Sequence, residues 1–185
     1  MEIKLDLLTA CIRHERKAEY ELYRIAYPYL MSICFRYVHS HEEAREMLNM
    51  GFMKILYNLE KYEPQVSFKA WARKVMINVL IDEYRKEKRH HEVIRYVETY
   101  NEESENAELN EAMVKMNVDQ IHALIMKLPP VSQKVFNLYA VDGYSHKEIS
   151  GMLNMSEGTS KWHLNFSRGK LKEMIQKLIT QLKVA

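Results

Sequence analysis

Apolar residues recur at intervals of three and four along most of this chain, and this spacing restricts its fold more than any other feature. They mark one helical face over residues 20–37, and the pattern returns after His41 and again after Ser67. Only 5 Gly and 4 Pro occur in 185 residues, so the turns that punctuate β-sheet proteins are scarce. We predict an all-α fold in which Pro28 divides the first helical stretch or opens its second helix.

A polar, acidic segment separates two helical regions. Residues 98–111 contain six Glu and no Lys or Arg, whereas basic residues dominate 85–95 and 161–183. Such a segment has too few apolar residues to form a core. We predict two small helical domains, residues 1–96 and 118–185, joined by a flexible acidic linker over 97–117. Limited proteolysis is expected to cut first within residues 98–111, and the two basic blocks are expected to face polyanions.

The second region contains the signature of a helix-turn-helix. Ser145 and Glu148 have the spacing of a capping box, Asn154 tolerates the left-handed conformation of a sharp turn, and Ser156 suits the cap of a second helix. In this geometry the second helix enters the major groove of DNA. Side chains predicted to face outward from it for phosphate or base contact are Lys161, Trp162, His163, Asn165 and Arg168.

Several classes of protein are disfavoured. No apolar stretch is long enough to cross a bilayer and the N-terminus has no signal pattern, so we expect a cytoplasmic, nucleoid-associated protein without membrane insertion. Cys11 and Cys34 have no metal-binding spacing and are predicted to be reduced core thiols. His90 and His91 are adjacent and no HExxH motif occurs. A metal-dependent enzyme is therefore disfavoured, and we expect no metal, no cofactor and no enzymatic activity.

Two long stretches resemble the extracytoplasmic-function (ECF) sigma factors of bacterial RNA polymerase. YELYRIAYPYLMSICFRYVHSHEEAREMLNMGFMKILYNLEKY and SFKAWARKVMINVLIDEYRKEKR are similar to region two of that family, which forms a helical bundle. LPPVSQKVFNLYAVDGYSHKEISGMLNMSEGTSKWHLNFSRGKLK is similar to region four, a helix-turn-helix domain. The resemblance covers about residues 20–172 in the family's order. It implies a factor that binds core polymerase and directs promoter recognition, DNA melting and transcription initiation.

The resemblance also implies three binding surfaces. Core polymerase, through its largest-subunit coiled coil and its flap, is expected to be a partner together with promoter DNA and an anti-sigma factor or other recruiting protein. The polymerase-binding residues implied are Glu43, Glu46, Met47, Asn49, Met50, Phe52 and Met53. Those for melted minus-10 DNA are Tyr62, Phe68, Trp71, Arg73, Lys74, Asn78, Arg85, Lys86, Lys88 and Arg89. Those for the minus-35 element are Ser156, Glu157, Thr159, Lys161, Trp162, His163, Asn165 and Arg168.

The chain departs from the family at two places. Glu46, Asn49 and Met50 stand where an Asp, a Gln and an acidic residue are usual, which predicts an altered polymerase contact. Ser160 stands where an apolar residue normally packs, and residues 165–167 replace a commonly basic stretch. We therefore expect modest affinity of the isolated second domain for duplex DNA. The acidic segment fits either a tether in the RNA channel of polymerase or a solvated spacer.

The alternative is a helix-turn-helix regulator that acts on duplex DNA without polymerase, because such regulators share much of the GYSHKEI and SEGT pattern. The N-terminal half disfavours it. That half lacks the alternation of strands and helices expected of a receiver domain, and such a regulator has no role for the segment SFKAWARKVMINVLIDEYRKEKR.

Overall fold

The computed structural model describes the backbone of residues 3–90 and 117–184 and the side chains of residues 3–87 and 117–180. The chain divides into two compact units, Met1–Glu92 and Val93–Ala185. Every regular element in the described ranges is helical, which confirms the prediction of an all-α fold. Residues 97–116 of the predicted linker lie outside the described residues.

The first unit is a bundle whose long helices enclose one apolar core. Helix α3 packs against both α2 and α4, α2 also contacts α4, and α1 lies against α2. Large side chains without solvent exposure fill the space between them, among them Leu22, Leu48, Ile55 and Met76. Its helices are α1 (Leu5–Ile12), α2 (Arg16–Cys34), α3 (His41–Tyr57), a 3-10 turn (Leu59–Lys61) and α4 (Phe68–His90).

Helix α2 continues through Pro28, contrary to the prediction that this proline divides the stretch or opens its second helix. A proline inside a helix removes one backbone hydrogen bond and costs about 3 kcal/mol. Here Leu22, Leu30 and Ile33 are fully buried on the opposite face. Burial of such side chains contributes about 1.5–3 kcal/mol each, so packing outweighs the local cost.

The ends of the bundle helices follow their capping residues. Ser40 Oγ accepts a hydrogen bond from the backbone N–H of Glu43 at 3.0 Å, at the start of α3. Ser67 Oγ accepts from the N–H of Ala70 at 3.3 Å and caps α4, the helix whose apolar pattern begins after Ser67. The additional helix α1 is anchored by Leu8 and Cys11, both buried.

The second unit is built around one long helix. Its elements are α5 (Val118–Ile125), α6 (Pro130–Phe136), which runs into a π-helical turn (Asn137–Val141), α7 (His146–Leu153) and α8 (Glu157–Val184). Helix α8 packs against α5, α6 and α7. Helix α6 begins at Pro130, because proline is well tolerated in the first turn, where its missing N–H is not needed.

The predicted helix-turn-helix signals are confirmed. Ser145 and Glu148 form a capping box, with the N–H of Ser145 donating to Glu148 Oε2 at 2.8 Å. Asn154 adopts the left-handed conformation at φ 52°, which ends α7. Ser156 Oγ then accepts from the N–H of Thr159 at 3.0 Å and starts α8.

Candidate functional site

Helix α3 presents a mixed polar and methionine-rich face to solvent. Of the predicted polymerase-binding residues, Glu46, Asn49, Met50 and Met53 are exposed, with Met53 64% exposed. Glu43 is half-buried, and its carboxylate accepts from the backbone N–H of His39 at 3.4 Å.

Two of the predicted polymerase contacts need correction. Met47 and Phe52 are 5% and 6% exposed, because their positions on α3 face α2 and α4 rather than solvent. Their side chains belong to the bundle core and lie beneath the exposed face of α3. The periodic pattern of α3 contained this information, since both residues share the apolar stripe with Leu48 and Ile55.

Sequence reasoning missed a residue on α2 that orients the α3 face. The Tyr23 hydroxyl donates a hydrogen bond to Asn49 Oδ1 at 3.1 Å. Its ring packs edge-on against Phe52 with 5.0 Å between centroids. Burial and the neighbouring Tyr27 raise the pKa of the Tyr23 hydroxyl, so it remains a donor at neutral pH. Tyr23 therefore holds the Asn49 amide in one orientation.

An aromatic cluster stands at the start of α4. The Tyr62 ring lies 5.6 Å from Phe68 and 5.4 Å from Trp71, and the latter two rings are 5.7 Å apart. The Tyr62 hydroxyl donates to the Val66 carbonyl at 2.7 Å and closes the loop before α4. Phe68 is only 5% exposed, so the prediction that it contacts DNA bases is wrong. Its ring instead forms the floor of the cluster. Tyr62 and Trp71 are half-buried and keep accessible edges.

The outer face of α4 carries hydrogen-bonding and cationic groups. Asn78 and Lys74 are exposed and Arg73 is half-buried. Farther along, Lys86 Nζ lies 2.7 Å from Glu83 Oε2, and Arg85 lies 3.9 Å from Asp82. A phosphate must compete with these carboxylates for both cations. The side chains of Lys88 and Arg89 lie outside the described residues.

The first turns of α8 present a polar surface. Glu157, Thr159 and Lys161 are exposed, while Ser156 is engaged in the cap. Trp162 stacks on Phe166 with 5.3 Å between centroids and 14° between planes, and Asn165 is half-buried beside them. The exposed lysine, the amide and the aromatic edge are the side-chain types that contact phosphates and base edges in a groove.

Two histidine contacts hold α8 from its inner side. His163 Nδ1 lies 2.9 Å from Ser132 Oγ on α6, so one nitrogen of this predicted base-contacting residue is used within the protein. His146 Nδ1 on α7 lies 2.9 Å from Ser160 Oγ. Ser160 is 0% exposed, which places a hydroxyl where the family resemblance implies an apolar side chain. The sequence carried no signal that His146 is the partner of this hydroxyl.

The remaining titratable groups show no metal-binding arrangement. Within residues 3–87 and 117–180, whose side chains the structure describes, no three His, Cys, Asp or Glu side chains are grouped so as to hold a metal ion. Cys11 and Cys34 are buried free thiols, as predicted. Burial raises the pKa of Cys34 to about 12, which keeps the thiol protonated. None of the helices in the described ranges has the length and apolar character needed to cross a membrane.

Comparison with known families identifies both halves of the chain. Sigma-70 region 2 matches residues 22–90, and Sigma-70 region 4 matches residues 118–171. These matches agree with the bundle and the helix-turn-helix, and together they span more than half of the chain. The region 2 match is the feature that a stand-alone duplex-binding regulator lacks, and it favours the predicted sigma factor over that alternative.

Individual relatives agree with this assignment. The chain is 28% identical over 131 residues to RNA polymerase sigma factor SigZ of Bacillus subtilis (strain 168), covering 71% of this chain and 72% of that protein. It is 25% identical over 157 residues to ECF RNA polymerase sigma factor SigW of the same organism, covering 80% and 84%.

The fold is also found in a solved sigma factor structure. The sigma factor RpoE from Bartonella quintana, solved in complex with the anti-sigma factor NepR, superposes with a TM-score of 0.51 at 16% identity, covering 85% of this chain and 96% of that chain. The two family matches and these relatives show that the chain belongs to the sigma-70 family of RNA polymerase sigma factors, in its extracytoplasmic-function group.

Proposed function

We propose that this sigma factor divides its work between its two units, with α3 and α4 binding core polymerase and melted minus-10 DNA, and α8 reading the minus-35 element. As a sigma factor the chain binds core RNA polymerase and directs transcription initiation. The proposal concerns which side chains do so. The observation that carries it is the outward presentation of Asn78 on α4 and of Lys161 on α8, each on a helix whose opposite face is buried.

The α3 face fits a protein partner better than a nucleic acid. Exposed apolar side chains at Met50, Met53 and Tyr57 follow one another at helical spacing, and Tyr57 is 84% exposed. Methionine and tyrosine are enriched at protein interfaces, whereas phosphate backbones attract cations. We assign this face to the coiled coil of the largest polymerase subunit. The flap of polymerase is assigned to the second unit.

An anti-sigma factor or other recruiting protein is a further proposed partner. The Bartonella quintana sigma factor that shares the fold was solved with its anti-sigma factor NepR, which supports this assignment. Since an apolar face can bind only one protein at a time, such a partner would block polymerase by covering Met50 and Met53. The proposed function also places the protein on the nucleoid, in the bacterial cytoplasm.

The α4 assignment is tested with Asn78→Ala. An unpaired base is held by side-chain hydrogen bonds, so removing the amide should reduce promoter opening by about tenfold, the effect of losing ~1.4 kcal/mol. Opening is measured by permanganate reactivity of unpaired thymines, and polymerase association by co-purification. Gln176→Ala, which removes an exposed amide on α8, is the control. A folded Asn78→Ala protein that no longer binds polymerase would contradict the assignment.

The α8 assignment is tested with Lys161→Ala and Asn165→Ala. Loss of one phosphate contact should lower the salt slope of promoter binding by about one, whereas loss of the amide should change the preferred minus-35 sequence. Promoter binding by the reconstituted polymerase at several salt concentrations measures the first effect, and transcription from promoters randomised across the minus-35 element measures the second. Lys177→Ala, at an exposed position farther along the same helix, is the matched control. Unchanged preference and output in both variants would mean that α8 does not read the promoter.

A further inference from the structure

His146 joins the two helices of the helix-turn-helix through a polar contact. It is the first residue of α7, and its Nδ1 lies 2.9 Å from Ser160 Oγ on α8. Ser160 is fully buried, so the hydroxyl needs a partner within the protein. An unsatisfied buried hydroxyl costs free energy, and the hydrogen bond therefore favours one placement of α8 against α7.

The ring of His146 is itself held in place by Tyr139. The two rings are stacked, with 4.5 Å between centroids and 22° between planes. The charged groups near His146 are Lys161, Glu157 and Arg168 on α8. Burial and the positive charges of Lys161 and Arg168 lower the pKa of His146, and Glu157 opposes them. The imidazole is therefore neutral near pH 7 and bonds to the serine hydroxyl without burying a charge.

Tyr139 makes a second contact with α8. The guanidinium of Arg168 lies 5.9 Å from the centroid of the Tyr139 ring, within the range of a cation–π interaction. Ser160 and Arg168 are eight residues apart, which is about 12 Å along a helix. The pair Tyr139 and His146 thus contacts α8 at two points separated by about two turns. Contacts at two points constrain both the tilt and the rotation of a helix, which one contact does not.

Lys161 and Asn165, the two residues tested above as promoter contacts, lie between these two points. Lys161 follows Ser160 directly, and Asn165 precedes Arg168 by three positions. We propose that His146 and Tyr139 are positioning residues that set the angle of α8 in the DNA groove and thereby its minus-35 preference. This inference rests on the proposed function of α8. Neither side chain needs to touch DNA, because directional hydrogen bonds to base edges are lost when a helix shifts by about an ångström.

The test uses full-length protein with core polymerase and promoters randomised across the minus-35 element. His146→Leu and Ser160→Ala each remove the same hydrogen bond. Each should lower output from the preferred sequence by about 3- to 10-fold and broaden the preference. The double variant should be no worse than the more affected single variant. His146→Asn places an amide near the position of Nδ1 and should recover most of the selectivity.

Tyr139→Leu tests the same idea without removing a buried group, because Tyr139 is 36% exposed. It should broaden the minus-35 preference while its thermal midpoint stays close to that of the wild type. Lys161→Ala in the same assay separates the positioning role of His146 and Tyr139 from the proposed function of α8. If Lys161→Ala changes promoter binding while the folded Ser160→Ala, His146→Leu and Tyr139→Leu proteins keep wild-type selectivity, the positioning role is wrong. If Lys161→Ala and Asn165→Ala also have no effect, the proposed function of α8 fails instead.

Discussion

At the scale of single residues, one hydroxyl on α2 orients one amide on α3. The Tyr23 hydroxyl donates to Asn49 Oδ1, and Asn49 stands where the family resemblance implies a polymerase-contacting Gln. A side chain held in its bound orientation before association loses less conformational entropy when it binds. Tyr23 is therefore expected to strengthen polymerase binding through Asn49.

Tyr23→Phe should weaken association with core polymerase by about 2- to 5-fold, because it removes one hydrogen bond while the ring keeps its contact with Phe52. Titration of labelled protein with core polymerase measures the change. Tyr27→Phe removes a neighbouring hydroxyl and should bind normally. Combining Tyr23→Phe with Asn49→Ala should add little to Asn49→Ala alone. An additive loss in that double variant would show that Tyr23 acts independently of Asn49.

At the scale of elements, the turn between α7 and α8 depends on Asn154. Its φ of 52° is in the left-handed region, where a side chain with a Cβ is strained unless it is Asn or Asp. The turn determines where α8 begins relative to α7, and with it the His146 contact. Gly151, inside α7, has open space where a Cβ would stand and serves as a comparison.

Asn154→Ala should destabilise the second unit by about 1 kcal/mol, while Asn154→Gly should be close to neutral because glycine adopts this conformation without strain. Gly151→Ala should stabilise the same unit by up to ~1 kcal/mol through helix propensity. Urea denaturation followed by the fluorescence of Trp162 in a Trp71→Phe background, which reports the second unit, gives all three values. Equal stability of the Asn154→Ala and Asn154→Gly proteins would show that the turn does not require this backbone conformation.

At the scale of the whole molecule, each unit contains a titratable group whose shifted pKa makes stability depend on pH. The first unit is affected at alkaline pH and the second at acid pH. In the first unit, burial raises the pKa of Cys34 from 9.0 to about 12, so the unfolded thiol ionises first as the pH rises. Stability of that unit should fall from pH 9 upwards. In the second unit, burial and Lys161 lower the pKa of His146 from 6.5. The unfolded chain then binds the proton first, and stability falls as the pH drops below 6.5.

Each unit contains one of the two Trp residues, Trp71 in the first and Trp162 in the second. In the Trp162→Phe protein the remaining Trp71 reports the urea midpoint of the first unit. In the Trp71→Phe protein the remaining Trp162 reports that of the second unit. We expect Cys34 to cost the first unit about 2 kcal/mol at pH 10.5. Cys34→Ala should make this alkaline loss shallower, and His146→Asn should do the same for the acid loss in the second unit. Identical pH dependence of both units would refute the assignment of the alkaline loss to Cys34 and of the acid loss to His146.

Local pattern was sufficient for most of the fold. Helices are specified by apolar spacing and by caps within a few residues, and these interactions are readable along the chain. Ser67, Ser145, Asn154 and Ser156 were therefore placed correctly, and the core thiol of Cys34 followed from its apolar neighbours. Pro28 was misjudged because its local effect is overridden by packing of the opposite face of α2.

Tertiary structure fixed which side chains of each surface meet solvent, although the apolar stripe of α3 already indicated the burial of Met47 and Phe52. Met47, Phe52 and Phe68 were assigned to partners from their place in a motif, but helix–helix packing buries them. The contacts of Ser160 with His146 and of Asn49 with Tyr23 join residues 14 and 26 positions apart. Helical periodicity reports only neighbours three and four positions away. By itself the sequence determined the helices, their caps and the family, whereas the partners of these polar groups depend on how the helices pack.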